Sequence, residues 1–335
     1  MNMKRILSLI AVTLITFTAA TAQRISVVTE SGATSIYRTL QQAIEGADPG
    51  STIYLPGGGF SIADNVKITK KLTIIGIGHK SDNENADGST IISGNLWFNE
   101  NSSGSAVMAC YITGNVNIGE GDAAVNDVTI RFCNLNSVQV KNSTCQETVV
   151  NQNFIRGNSN FWETNAQISN NILHSVQKLN CGTLNNNIIT SRYSTNTYGS
   201  NTIGANNCII SYNVILPKYY SKDHNGFYSN LIEGAGNTCE GNMTIVDTFG
   251  DNCIILGIED WNDVFDNYNN GTISPVSSFH FKGDYAQYEH EVGIYAGDGF
   301  NESQQAPVPS IVAKDIPQQT DAAGNLNIKI RVKAN

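Results

Sequence analysis

The chain lacks most of what would announce a familiar chemistry. No two of its seven cysteines are spaced as Cys-x-x-Cys, which removes the usual ligand frame of a zinc site. Basic residues are scarce and unclustered: 20 Lys and Arg stand against 29 Asp and Glu, for a formal charge of −9. That balance argues against nucleic acid and against anionic membranes as partners. No apolar stretch beyond the first 22 residues is long enough to cross a bilayer. Nothing in the pattern calls for a cofactor or a metal. The cysteines are odd in number and sit beside apolar residues, as in Cys208-Ile209-Ile210 and Cys253-Ile254-Ile255. Free Cys behaves as a small hydrophobe, so buried thiols are expected rather than a disulfide network.

The first 22 residues read as an export signal. Lys4 and Arg5 precede an uncharged, largely apolar run from Ile6 to Ala20, and Ala20-Thr21-Ala22 is a small-x-small cleavage site. Removing those two basic residues takes the formal charge from −9 to −11. The expected destination is the periplasm, the cell surface or the medium, with no transmembrane segment after cleavage. The oligomeric state is not legible.

What is present in excess is asparagine, with 42 copies, 23 of them among the 109 positions from Asn134 to Asn242. A polar tract of this kind first suggests disorder. Periodic apolar residues contradict that. A six-residue pattern of apolar, any, any, Asn, apolar, then apolar or Thr recurs at Val150–Ile155, Ile168–Leu173, Leu184–Ile189, Ile210–Ile215, Phe227–Ile232 and Cys239–Thr244. A degenerate copy is Phe132-Cys133-Asn134-Leu135. The asparagines from Asn134 onward are spaced 19, 18, 16, 26, 17 and 12 apart. Short apolar runs of strand length broken by one Asn fit sharp corners, because Asn and Gly most readily adopt a left-handed backbone. Repeats of about 20 residues must stack to bury an apolar face, and stacked asparagines can hydrogen-bond to one another. Helical, leucine-rich and propeller repeats differ in length and framework. The expected class is therefore all-β, a parallel β-coil. Its structural ladder is Asn153, Asn171, Asn187, Asn213 and Asn230, in one column at one corner with the apolar neighbours inward.

After the signal, Tyr37-Arg-Thr-Leu-Gln-Gln-Ala-Ile-Glu-Gly-Ala-Asp-Pro-Gly50 sets Leu40, Ala43, Ile44 and Ala47 on one helical face, over about 37–47. Thr52-Ile-Tyr-Leu-Pro-Gly57, Leu72-Thr-Ile-Ile-Gly-Ile-Gly78 and Thr90-Ile-Ile-Ser-Gly94 follow it. In this order the segments resemble the capping helix and the first strands and turns of the pectate-lyase-like, right-handed parallel β-helix superfamily of secreted bacterial proteins. Gly293-Ile-Tyr-Ala-Gly297 resembles a motif near the end of many such proteins. The resulting division is a signal (1–22), a β-helical body (23–302) and an extended C-terminal tail (303–335). In that tail Leu326, Ile328, Ile330 and Val332 alternate with polar residues as a final half-buried strand.

The resemblance does not bring an activity with it. Calcium-dependent lyases of this fold cluster acids on neighbouring rungs, yet Arg131 to Lys222 contains only Glu147 and Glu163. The adjacent Asp pair, Gly-His-Gly and Arg-Ile-Lys motifs of polygalacturonases are absent. His79, His280, His290, Glu289 and Glu291 are not spaced as metal ligands, and Val264 and Phe265 spoil the calcium-loop look of Asp260, Asp263 and Asp266. Two loop stretches stand out by composition, one with Arg192 and Tyr193, the other with Lys218, Tyr219, Tyr220, Lys222 and His224. Tyrosine faces suit sugar rings, and cations suit uronate carboxylates. The reading is an exported β-helix that binds a polysaccharide, acidic ones among the candidates, or serves as a surface scaffold without catalysis. Its alternatives are an uncharacterised polysaccharide lyase or hydrolase, and an adhesin or assembly module.

Overall fold

A computed structural model describes residues 24–80, 88–190, 203–216, 232–244, 251–256, 261–266, 279–317, 319–320 and 324–333. The chain is all-β with few helical residues, and its strands form two long sheets whose pairings are almost all parallel. Among the described residues the first sheet has 11 strands and the second 15. The second has two wings joined through the long strands Phe154–Thr164 and Ile172–Asn180. Register shifts between Ile155 and Asn158 bend the longer of these from one wing into the other. The chain visits first sheet, near wing and far wing in a fixed cyclic order. Thr148–Asn151, Phe154-Ile155, Asn158–Asn160 and then Ala166–Ser169 make one such circuit.

Alternation explains the core. On the first sheet Ile53, Ile74, Val107, Ile130, Val150, Ile168, Leu184 and Ile210 are neighbours in register and all buried. They meet Ile112, Leu135, Ile155, Leu173, Ile189 and Ile215 of the near wing, and Val116, Val138, Val176 and Ile203 of the far wing, in one apolar cluster. Each such side chain contributes about 1.5–3 kcal/mol by leaving water.

The helix at the start runs over Leu40–Gly46, three residues shorter at its front than the sequence pattern suggests. Thr39 caps it, its hydroxyl accepting from the Gln42 N–H at 3.2 Å. Tyr37 instead ends the strand Thr34–Tyr37 opposite Ile25, and its hydroxyl donates to the Gly46 carbonyl at 3.0 Å. Leu40, Ala43, Ile44 and Ala47 are buried in the main cluster with Ile25, Val27 and Ile53.

Four asparagines form a buried hydrogen-bonded column with a fifth. The backbone N–H of Asn153 donates to Asn171 Oδ1 at 2.9 Å, Asn171 to Asn187 at 2.9 Å, Asn187 to Asn213 at 2.9 Å and Asn213 to Asn242 at 3.0 Å. Each side-chain amide reaches the same oxygen at 2.9–3.0 Å. Asn230 lies outside the described residues, and the place after Asn213 is held by Asn242. Above the column the same position is filled by Cys133, whose N–H donates to Asn153 Oδ1 at 2.9 Å.

Two expectations about this corner need correction. The left-handed residue is the one before the ladder residue: Ala109, Phe132, Gln152, Asn170, Asn186 and Tyr212 have φ of 54–57°. The ladder amide satisfies that turn instead of making it. Nor do both apolar neighbours point inward. Because side chains alternate along a strand, Ile155, Leu173, Ile189 and Ile215 enter the main core, while Phe154, Ile172, Ile188 and Val214 face the other way. The second set is covered by Val264, Phe265, Phe279, Phe281, Val292 and Ile294.

The C-terminal cover is latched to the corner. Asn170 Nδ2 donates to the carbonyls of Ile294 and Ala296 at 2.9 and 2.8 Å, and the Gly293 N–H donates to the Tyr212 carbonyl at 2.8 Å. Gly293 has φ +75°, and a Cβ there would lie 3.0 Å from Val214 Cγ2, so the motif needs glycine at that point. The tail does not supply a half-buried strand. Lys329–Lys333 pairs antiparallel with Ser310–Asp315 alone, and its five residues are exposed.

Candidate functional site

Arg192, Tyr193, Lys218, Tyr219, Tyr220, Lys222 and His224 lie outside the described residues. The ends of the segments that carry them are placed. Ile189 pairs with Ile215 on the near wing, and Ile203 pairs with Ile232 on the far wing. Both segments therefore leave and rejoin the sheet on adjacent strands.

The outward row of the far wing leads toward those strands. A parallel bridge between Ile68 and Phe98 sets Lys67 beside Trp97, and the register continues through Asn117, which is buried, and the half-buried Gln139, Asn160 and Gln177. At the strand spacing of about 4.8 Å the four steps from Trp97 to Gln177 span about 19 Å. The row holds no carboxylate. Gln139 is fixed by donating to Ser137 Oγ at 2.9 Å and to the Asn158 carbonyl at 2.8 Å. The first aromatic of the row is already occupied. The Lys67 ammonium lies 3.5 Å from the centre of the Trp97 ring and 3.2 Å from Glu120, and Lys141 approaches the same ring at 5.7 Å.

The more exposed aromatic is Trp162, at the end of the strand that carries Asn160. It is 46% exposed, and the Lys178 ammonium sits over its ring at 4.3 Å from the centre, as Lys67 does over Trp97. Trp162 and Glu163 both have left-handed backbones, with φ of 45° and 65°. Such a conformation costs a bulky residue on the order of 1–3 kcal/mol. Asn160 Oδ1 accepts the Trp162 N–H at 3.0 Å and helps to hold the turn. Sequence reasoning missed this residue, because Phe161-Trp162 reads as one more pair of core aromatics. Phe161 is indeed buried, and alternation turns its neighbour outward.

A second polar cluster ties the C-terminal cover together. His280 Nδ1 contacts Glu289 Oε1, His280 Nε2 lies 2.8 Å from Glu302 Oε1, and the Tyr295 hydroxyl donates to that same oxygen. The imidazole stacks on Tyr295 with ring centres 4.1 Å apart. Burial alone would lower the His280 pKa, but the hydrogen bonds and charges of Glu289 and Glu302 outweigh it and raise it. Burial would raise Glu302, and the bonds from Tyr295 and His280 bring it below its ordinary value instead. With carboxylates on both ring nitrogens, His280 has no free nitrogen to act as a base on a ligand. The cluster is a clasp. Among the described residues no group of three or more His, Cys, Asp or Glu is placed to hold a metal.

The Cys110, Cys133, Cys145 and Cys208 thiols are buried, those of Cys239 and Cys253 partly so, and Cys181 is exposed. No helix among the described residues is long and apolar enough to cross a membrane. No protein-family model matches the chain, and neither the curated proteins nor the solved structures compared with it give a match.

Proposed function

We propose that the chain is an exported right-handed parallel β-helix of the pectate-lyase-like type that binds a polysaccharide without cleaving it. The cyclic order of first sheet, near wing and far wing, repeated in parallel register, is the arrangement such a helix requires. Trp162 is the observation that carries the binding reading. It is an aromatic side chain held in solvent by a strained turn, beside a lysine and at the end of a row of amides. An aromatic face offers a stacking surface for a sugar ring, amides pair with hydroxyls, and Lys178 suits an acidic group. The two segments rich in tyrosine and lysine rejoin the same wing at Ile203 and Ile232, which would extend that surface. Binding is favoured over turnover because glycosidic hydrolysis uses two carboxyl groups and the row has none.

Isothermal titration of the exported protein against oligogalacturonate, alginate and glycosaminoglycan fragments tests the reading. Trp162→Ala should weaken binding of any ligand found by about tenfold or more, corresponding to at least ~1.4 kcal/mol. Paired variants Tyr219→Ala with Tyr220→Ala, and Lys218→Ala with Lys222→Ala, test whether the neighbouring segments contribute. No measurable binding to any of these fragments, or unchanged affinity in all three variants, removes the site. Release of unsaturated products would place the protein among the lyases instead.

A further inference from the structure

The antiparallel ribbon of Ser310–Asp315 and Lys329–Lys333 has two unlike faces. Ile311 pairs with Val332 and Lys314 with Ile330, so Ile311, Ile330 and Val332 share one face with Lys314 toward its end, and alternation adds Ile328 and Leu326. These five are 39–58% exposed, as is Ile316 at the end of the other strand. Lys329, Arg331 and Lys333 alternate onto the opposite face. A two-stranded ribbon is marginal in water, and among the described residues no further layer covers its six exposed aliphatic side chains.

We propose that the ribbon is a self-association surface, two copies of the chain packing their aliphatic faces together about a two-fold axis. The area is adequate. Six side chains each about half exposed offer roughly 500 Å² per copy, or about 1,000 Å² for the pair, which reaches the ~1,000 Å² a specific interface must clear. Charge points the same way. Residues 310–335 hold four basic side chains and two acidic ones, so +2 of the formal −9 lies there and −11 in the rest. Face-to-face packing turns Lys329, Arg331 and Lys333 of both copies away from the seam, so these cations are not set against one another. Edge-to-edge pairing of Lys329–Lys333 with its own copy would set like charges opposite one another and is disfavoured. A lipid surface fits less well, because cations that assist insertion flank the apolar face rather than oppose it.

Sedimentation equilibrium of the exported full chain, from low micromolar to near-millimolar concentration, reads the result. The wild type should show a monomer–dimer equilibrium. Ile330→Thr with Val332→Thr keeps strand-forming residues while removing aliphatic area, and it should raise the dimer dissociation constant about tenfold or more. Lys329→Gln with Arg331→Gln leaves the aliphatic face intact and should shift it far less. A wild type that stays monomeric throughout overturns the proposal, as does a dimer insensitive to the threonine pair. Binding of the monomer to phosphatidylglycerol vesicles, lost in the threonine pair, would overturn it in favour of a membrane contact.

Discussion

Asn213 gives both of its amide donors to a single oxygen of Asn242, the backbone N–H and Nδ2 each lying 3.0 Å from Asn242 Oδ1. The two residues are 29 apart in the chain, yet Val214 and Met243 after them pair in register as if the repeat were uninterrupted. The column accommodates that interval because the corner bonds and the flanking strands, rather than the length of chain between them, set the pairing.

A column of buried amides should be most sensitive at its middle. Asn187 Nδ2 reaches the carbonyls of Ile168 and Asn185 at 2.9 Å each, and its Oδ1 accepts from the N–H and Nδ2 of Asn171. Asn187→Ala leaves those buried groups without partners and should cost about 2–4 kcal/mol. Asn187→Asp should cost more near neutral pH, because it buries a charge and loses both donors. Thermal melts followed by circular dichroism should rank wild type above Asn187→Ala and Asn187→Asp below it. An unchanged melting temperature for Asn187→Ala would show that the ladder is ornamental to stability.

Part of this was readable before any coordinates. Asn153, Asn171, Asn187 and Asn213 each precede two apolar residues, so the column showed in the repeat. Its continuation did not, because Asn230 matches the pattern as well as Asn242 does, and the choice depends on which strand pairs with Val214-Ile215. The turn residues were hidden for another reason. A left-handed backbone suggests Gly or Asn, but here it also falls to Ala109, Phe132 and Tyr212, which the stacked rungs hold in place. The outward course of Phe154 and Ile172 could not be read, because their cover, Val292 and Ile294, lies far along the chain. Trp162 was hidden because an aromatic in a strand usually signals core.

At the start of the body, the helix Leu40–Gly46 should behave as a plug. Ile44 is 2% exposed, so Ile44→Asp would set an unpaired charge against the apolar end. That should cost on the order of several kcal/mol. Thr39→Ala removes only the cap and should cost about 1 kcal/mol. Melting of Ile44→Asp at the wild-type temperature would mean that the helix seals nothing.

The thiols should report the same packing chemically. Burial pushes the Cys133 thiol up to about 12 and raises Cys110 as well, so neither forms a thiolate at ordinary pH. Cys181 is exposed. Iodoacetamide applied to the native protein should modify Cys181 first and leave Cys110 and Cys133 unlabelled until denaturant is added. Denatured without reductant, all seven should label. Peptide mapping that found three disulfides in the exported protein would overturn the reading of buried thiols.

The last expectation concerns acid. His79 is 8% exposed and lies edge-on to Phe154, with ring centres 5.6 Å apart. Its Nε2 is 3.2 Å from Gln304 Oε1, a contact that joins the body to the C-terminal cover. Burial lowers its pKa to about 4 from an ordinary 6.5; the Gln304 bond opposes the shift, and the positive charges of Lys80 and Arg156 add to it. The folded state therefore holds His79 neutral where the unfolded chain would protonate it. Its contribution is complete above pH 6.5 and disappears as the pH falls toward about 4. Over that window the loss is on the order of 3 kcal/mol. Glu302, whose pKa is lowered, also loses stabilisation in acid, at lower pH. His280 has the opposite sign: its raised pKa stabilises the fold below 6.5 and that contribution fades as the pH rises through the raised value. Melting temperature against pH for wild type, His79→Gln and His280→Gln separates the three. His79→Gln should flatten the decline between pH 6.5 and 4, whereas His280→Gln should leave that decline nearly unchanged and remove the loss of stability that the wild type shows as the pH rises above 6.5. Parallel curves for wild type and His79→Gln across that window would show that the buried imidazole is not what acid attacks.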